Sequence, residues 1–442
     1  MQFSSVISIF FIGTFVSTMA LATPKPRLLV ENLVAPIDLA TIPDDSGRRL
    51  ILDQAGLVHL LNADDTVSKT PFLDITDRLL PVREDFEERG LLGMAIHPEY
   101  RINGRFFVTY TAPLSMDASM NWSHTRIVSE FTINSEIPDQ INKESERILI
   151  KQNWPSRKHN GGALAFGPDG YLYIGFGDGG GIHGVGPETL NDAYNVPKNR
   201  LSWDSTAQDL QSLFGKILRI DVDHGYPGYA IPEKNPLVNS LGKDEIYAWG
   251  FRNPYRLSFD SNGSSTFYIT AVAETLWEAV YQVSEPGNYG WPVREGTHCF
   301  DRTRPLDPPD FCEIEVDSVT DKPIYDPVVE YPNMSVQREG STVDLAGVGT
   351  AVVGAVMLRG TGFGDLVDHL LIADWSSDFR NPSGQLFVAK ENSGKLWAMD
   401  KISQLDTRIV ALVRDTDERV YVMTNENYGP YGNTGKIYLL EM

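Results

Sequence analysis

A chain of 442 residues has room for two or three domains, or for a single all-β propeller. Its 42% hydrophobic content supplies a large core and sets it apart from disordered chains. The net charge of −21 speaks against nucleic acid and anionic membrane as partners, and otherwise suits the surface of a soluble exported protein.

From the N-terminus, Val6 to Met19 form an apolar or small run followed by Ala20-Leu21-Ala22, an A-x-A cleavage pattern. This predicts a signal peptide over residues 1–22 and a secreted or periplasmic mature domain over 23–442. No later run is long enough to span a membrane. Short β-branched or aromatic runs then recur between Gly, Asp, Asn and Pro turns: Leu57–Leu61, Arg105–Tyr110, Tyr171–Phe176, Ile217–Asp221, Leu370–Ala373, Gln385–Ala389, Val420–Thr424 and Lys436–Leu440. Amphipathic helical windows are scarce. At this length the pattern predicts a β-propeller, with six blades of about 70 residues using the mature chain. The long irregular stretch from Gly179 to Asp209 is expected to pass over the propeller's mouth. Cys299 and Cys312, the two cysteines of the chain, are expected to pair, closing a short loop worth about 3 kcal/mol in the chain-entropy model. Asn121, Asn262 and Asn333 each begin an Asn-x-Ser sequon.

Gly175-x-Gly177-x-x-Gly180 matches the dinucleotide fingerprint in letters only. The segment Gly181-Ile182-His183-Gly184-Val185-Gly186-Pro187 that follows is not the helix the fingerprint must open. A P-loop, HExxH and GxSxG are all missing from the chain, which leaves nucleotide hydrolysis, zincin proteolysis and α/β-hydrolase chemistry without support. The segment Lys158-His159-Asn160-Gly161-Gly162 is of another kind. It places a histidine with small neighbours on a loop before the alternating strand at Tyr171, a natural setting for a general base.

Five segments in order resemble the soluble quinoprotein glucose/sorbosone dehydrogenases, with the aldose sugar dehydrogenases as relatives. They are Glu88–Pro98, the His159 segment, Leu213–Asp221, Trp249-Gly250-Phe251-Arg252-Asn253-Pro254 and Gly287-Asn288-Tyr289-Gly290-Trp291. The resemblance runs from about Leu28 to the C-terminus. It implies a six-bladed propeller with pyrroloquinoline quinone (PQQ) and Ca²⁺ at the mouth of the central channel, and a small-molecule sugar as substrate. His159 resembles the base that takes the anomeric hydroxyl proton while hydride passes to the quinone. Arg252 and Asn253 resemble the pair that contacts the reacting quinone oxygens, where a guanidinium stabilises developing negative charge. Glu88 falls where a polar side chain would orient or tune His159. Trp291 and Tyr289 are expected to serve turn and core packing.

The chain also departs from the pattern. Relatives that oxidise glucose clamp the cofactor's carboxylates with a lysine and two arginines. Here Ala373–Ser377 carries no lysine, Arg408 fits one arginine and Val410 stands where the second would be. The calcium segment reads Ala271-Val272-Ala273-Glu274, so Ala273 through its carbonyl and Glu274 through its carboxylate are the candidate metal ligands. Two alternatives therefore accompany the dehydrogenase: a non-catalytic propeller that binds a carbohydrate or protein, and, remotely, a Ca²⁺-dependent lactonase-type propeller. The electron acceptor is not legible in the sequence.

Overall fold

The computed structural model describes residues 23–118, 121–134, 136–137, 139–180, 205–309, 311–392 and 396–442. The expected signal peptide and most of the Gly179–Asp209 stretch lie outside them. Among the described residues, six four-stranded antiparallel sheets are arranged as a six-bladed β-propeller, and Arg294–Glu295 pairs with His298–Cys299 as a separate two-stranded ribbon. Blades 1 to 5 begin at the channel with Pro36–Thr41, Leu91–Ile96, Leu164–Phe166, Pro254–Phe259 and Val352–Met357, and each then meanders outward. Blade 6 starts with Arg408–Arg414, continues through Val420–Asn425 and Gly435–Glu441, and takes its outermost strand, Lys25–Leu33, from the other end of the chain. Inner strands of successive blades touch around the axis, and blade 6 returns to blade 1.

Most middle strands carry no polar face, because each blade is covered on both sides. Successive side chains point to opposite faces of a sheet, so alternate residues enter the two flanking cores. In blade 2, Phe106, Val108 and Tyr110 pack toward blade 1 with Leu50, Leu52 and Val58, while Phe107 and Val128 pack toward blade 3 with Ile174 and Leu218. The same division continues around the ring. Tyr173 and Ile217 meet Phe267 and Ile269; Tyr268 and Val280 meet Leu370 and Ile372; Leu371 and Val388 meet Val420 and Val422; Ala411 and Met423 meet Leu39 and Ile51. Arg256 of blade 4 donates to the carbonyls of Leu92 (3.3 Å) and Ile37, joining blades 1, 2 and 4. Cys299 and Cys312 are disulfide-bonded, as expected. Asn333 is buried, with its amide on Glu278 and on the Thr350 carbonyl, so that sequon is not presented to solvent. Among the described residues no helix is long and apolar enough to cross a membrane.

Candidate active site

A cavity of about 460 Å³ opens at one end of the channel. Loops from every blade contribute to it, and His159, Arg252, Asn253, Glu88, Ala273 and Glu274 all line it. Glycines bring the central pieces together. A Cβ at Gly177 would lie 1.9 Å from the His159 carbonyl oxygen, and Gly161 takes φ +67° with the Gly175 carbonyl 2.6 Å from where a Cβ would be. Only glycine permits these two segments to lie against one another. His159 itself adopts a left-handed backbone at φ +53°, a rare conformation that the surrounding contacts must hold.

The histidine is 5% exposed and fixed at two points. Its backbone N–H donates to Glu88 Oε2 at 2.5 Å, and its ring Nδ1 meets Asp178 Oδ1 at 2.7 Å. Nε2 has no hydrogen-bond partner among the described residues. Glu88 therefore positions the main chain of His159, and the carboxylate on its ring is Asp178. Asp178 was not a sequence candidate. Its signal lay inside the rejected glycine run, as the acidic residue of Gly175-Phe176-Gly177-Asp178-Gly179-Gly180 directly after a strand. Asp178 is 2% exposed and also accepts from Gly180 N (3.0 Å) and from the Trp291 indole N–H (3.0 Å).

Arg252 donates to Glu274 Oε2 (2.7 Å) and to the Val272 carbonyl (3.1 Å). Burial opposes its charge, but Glu274, Asp178 and Glu88 outweigh that and hold the guanidinium above its ordinary value. Asn253 accepts from Gly161 N at 2.8 Å through Oδ1, which leaves its amide N–H₂ for the cavity. The backbone at Ala273 is not left-handed, so alanine is accommodated there without strain, and its N–H points to Glu278 (3.3 Å). Among the described residues no group of three or more His, Cys, Asp or Glu side chains converges to hold a metal ion.

Arg408 lies beside the cavity, not on its wall. Its guanidinium sits 4.1 Å from the Tyr428 ring and 4.9 Å from the Trp375 ring, and donates to the carbonyls of Glu426 and Arg380. The wall facing the cavity there is Trp375, Tyr428 and Val410. The cations on the lining are Lys158, Arg252 and Arg338, of which Lys158 and Arg338 are exposed and form no ion pair among the described residues.

The Glucose / Sorbosone dehydrogenase profile matches residues 33–307. The chain belongs to that family. It is 32% identical over 337 residues to the HIPL2 protein of Arabidopsis thaliana, covering 66% of this chain and 43% of that protein. It is 33% identical over 235 residues to Hedgehog-interacting protein of Homo sapiens, covering 52% of this chain and 31% of that protein. The chain thus spans less than half of either relative. The PQQ-bound aldose sugar dehydrogenase from Streptomyces coelicolor superposes with a TM-score of 0.62 at 19% identity, covering 95% of this chain and 98% of that one, which is a likeness of fold.

Proposed function

We propose that this protein is an exported sugar dehydrogenase that uses PQQ to oxidise the anomeric carbon of an aldose. The observation that carries the reading is the buried His159–Asp178 pair, beside Arg252 and Asn253 on one cavity. His159 receives the hydroxyl proton on Nε2. The Asp178 carboxylate holds the Nδ1–H tautomer and stabilises the imidazolium that forms, while Glu88 fixes the main chain behind it. The Arg252 guanidinium and the Asn253 amide, both on the cavity lining, would stabilise the negative charge that develops during oxidation.

The residues present suit such a cofactor. Ile37, Leu92, Tyr255, Val353, Trp375 and Val410 give apolar and aromatic walls for a flat conjugated ring system, and Lys158 and Arg338 are open to its carboxylates. Bound there, PQQ would supply the hydride acceptor and a Ca²⁺ ion would supply Lewis acidity; toward the ion this chain offers the Ala273 carbonyl and Glu274, a carboxylate already paired with Arg252. A second reading, a propeller that binds without turnover, is favoured by the basic groups themselves. Arg408 is closed off behind two rings and Arg252 is already paired with Glu274.

Titration of the purified, chelator-treated protein with PQQ, with and without Ca²⁺, separates the two. Tight Ca²⁺-dependent binding, followed by dye reduction with an aldose, is expected. Absence of binding at tens of micromolar would overturn the dehydrogenase in favour of the binding propeller.

A further inference from the structure

Asp178 carries two duties at once, and the side chain that fixes it comes from a distant part of the chain. Its Oδ1 meets His159 Nδ1, and its Oδ2 accepts the indole N–H of Trp291, 113 positions away, at 3.0 Å. Trp291 is only 4% exposed and is held on several sides. Its ring packs on Phe300 with centroids 4.9 Å apart, and Phe300 follows Cys299 of the disulfide. Its backbone N–H donates to the Gly250 carbonyl (2.9 Å), and its own carbonyl accepts from Gln208 Nε2 (2.6 Å). The segment Thr206–Gln208 is in turn bound from below by Lys216, whose ammonium donates to the carbonyls of Thr206, Ala207 and Phe214, and Thr206 Oγ1 donates to the Asp178 carbonyl (2.9 Å).

We propose that Trp291 is a positioning residue for the base: its indole N–H pins the outer oxygen of Asp178, so that the inner oxygen stays on His159 Nδ1 and Nε2 is kept as the free acceptor. The assignment rests on the reading of His159 as the base. It changes the role expected for Trp291, which is more than turn packing. A carboxylate turns about its last bond, and His159 Nδ1 and Gly180 N both bond to Oδ1, so they hold one oxygen and not the other. A donor on Oδ2 holds the second oxygen and fixes the plane of the group, as buried partners of functional histidines do elsewhere.

Trp291→Phe keeps a ring against Phe300 and removes the donor alone. The low-field Nδ1–H proton resonance of His159, identified by its loss in His159→Asn, is expected to broaden or vanish in the cofactor-free variant. In turnover, kcat should fall about tenfold with KM little changed, in line with the loss of an outer partner of a histidine. The acidic limb of the pH–rate profile should move to lower pH as the imidazolium loses its carboxylate. A folded variant with the resonance intact and an unshifted profile would overturn the proposal. Asp178→Asn provides a reading that does not depend on Trp291→Phe folding. One of the eight tryptophan indole N–H resonances should move upfield in it, and if none moves the bond is absent and the idea is lost. The resonances need neither cofactor nor substrate, so a failure of the dehydrogenase reading shows separately, as absent turnover with the resonance changes present.

Discussion

His159 is held by its neighbours at the main chain and at the ring. Three constraints coincide on His159: a left-handed backbone, a main-chain bond to Glu88 and a ring bond to Asp178. Strain of this kind persists only where the neighbourhood over-determines it. Asparagine tolerates the same backbone, and its amide N–H can still reach Asp178, so His159→Asn should fold as the parent does. It has no group that accepts a proton near neutrality. Turnover of an aldose should drop by about 10²- to 10⁴-fold while affinity for PQQ is retained. Steady-state kinetics beside the quinone titration checks this: equal losses in both, or in neither, would contradict the role given to His159.

At the scale of the strands, the seam between blades 4 and 5 shows how polar groups are buried under the cavity. Glu278, from strand Trp277–Val283, accepts from Asn333 Nδ2 (2.8 Å), Val352 N (2.9 Å) and Ala273 N (3.3 Å). Asp374, closing strand His369–Asp374, accepts from the Tyr331 hydroxyl (2.6 Å) and from the backbone of Thr350, Ala351 and Ser376. These bonds fix Ala273, Asn333, Thr350 and Ala351, all of which line the cavity. Burial, and then the Asp374 charge, pushes Glu278 up to about 8, and burial pushes Asp374 up to about 7. Both values lie above those of the unfolded chain, so the folded state holds protons that the unfolded state releases. The associated stability is fully present below about pH 4 and is lost as pH rises through about 7 to 8. Comparing thermal midpoints of the parent and Glu278→Gln between about pH 5 and 8 tests this. The parent should lose stability with rising pH more steeply than the variant, and parallel curves would show that the pair does not titrate in that range.

Over the whole molecule, closure of the ring depends on one strand. Lys25–Leu33 pairs with Gly435–Glu441 and places Val30 and Leu33 in the core shared by blades 6 and 1. Without it, blade 6 ends in an unpaired edge carrying Ile437 and Leu439, an exposed template for another chain. Deletion of residues 23–33 is therefore expected to lower the unfolding temperature and produce self-associated material, read by calorimetry and size-exclusion chromatography. A monomer as stable as the parent would show that three strands suffice for the last blade.

Fold class was legible because strand content follows from local pattern. The runs at Leu57–Leu61, Arg105–Tyr110 and Val420–Thr424 are strands in the structure, extended at most by two residues. Their near-continuous apolar character follows from burial on both faces, which leaves no alternation for periodicity to read. His159, Glu88, Arg252 and Asn253 were legible as candidates from their segments, and all four face one cavity. The sequence alone thus determined the elements, the cysteine pair and four residues that line one cavity. The tertiary structure decided who touches whom. It placed Asp178 and not Glu88 on the imidazole ring, turned Trp291 onto Asp178 from 113 positions away, and closed Arg408 between Trp375 and Tyr428. Such contacts depend on how the inner ends of the blades converge on the axis. Residues far apart in the chain meet there, and no local pattern encodes the distance between them.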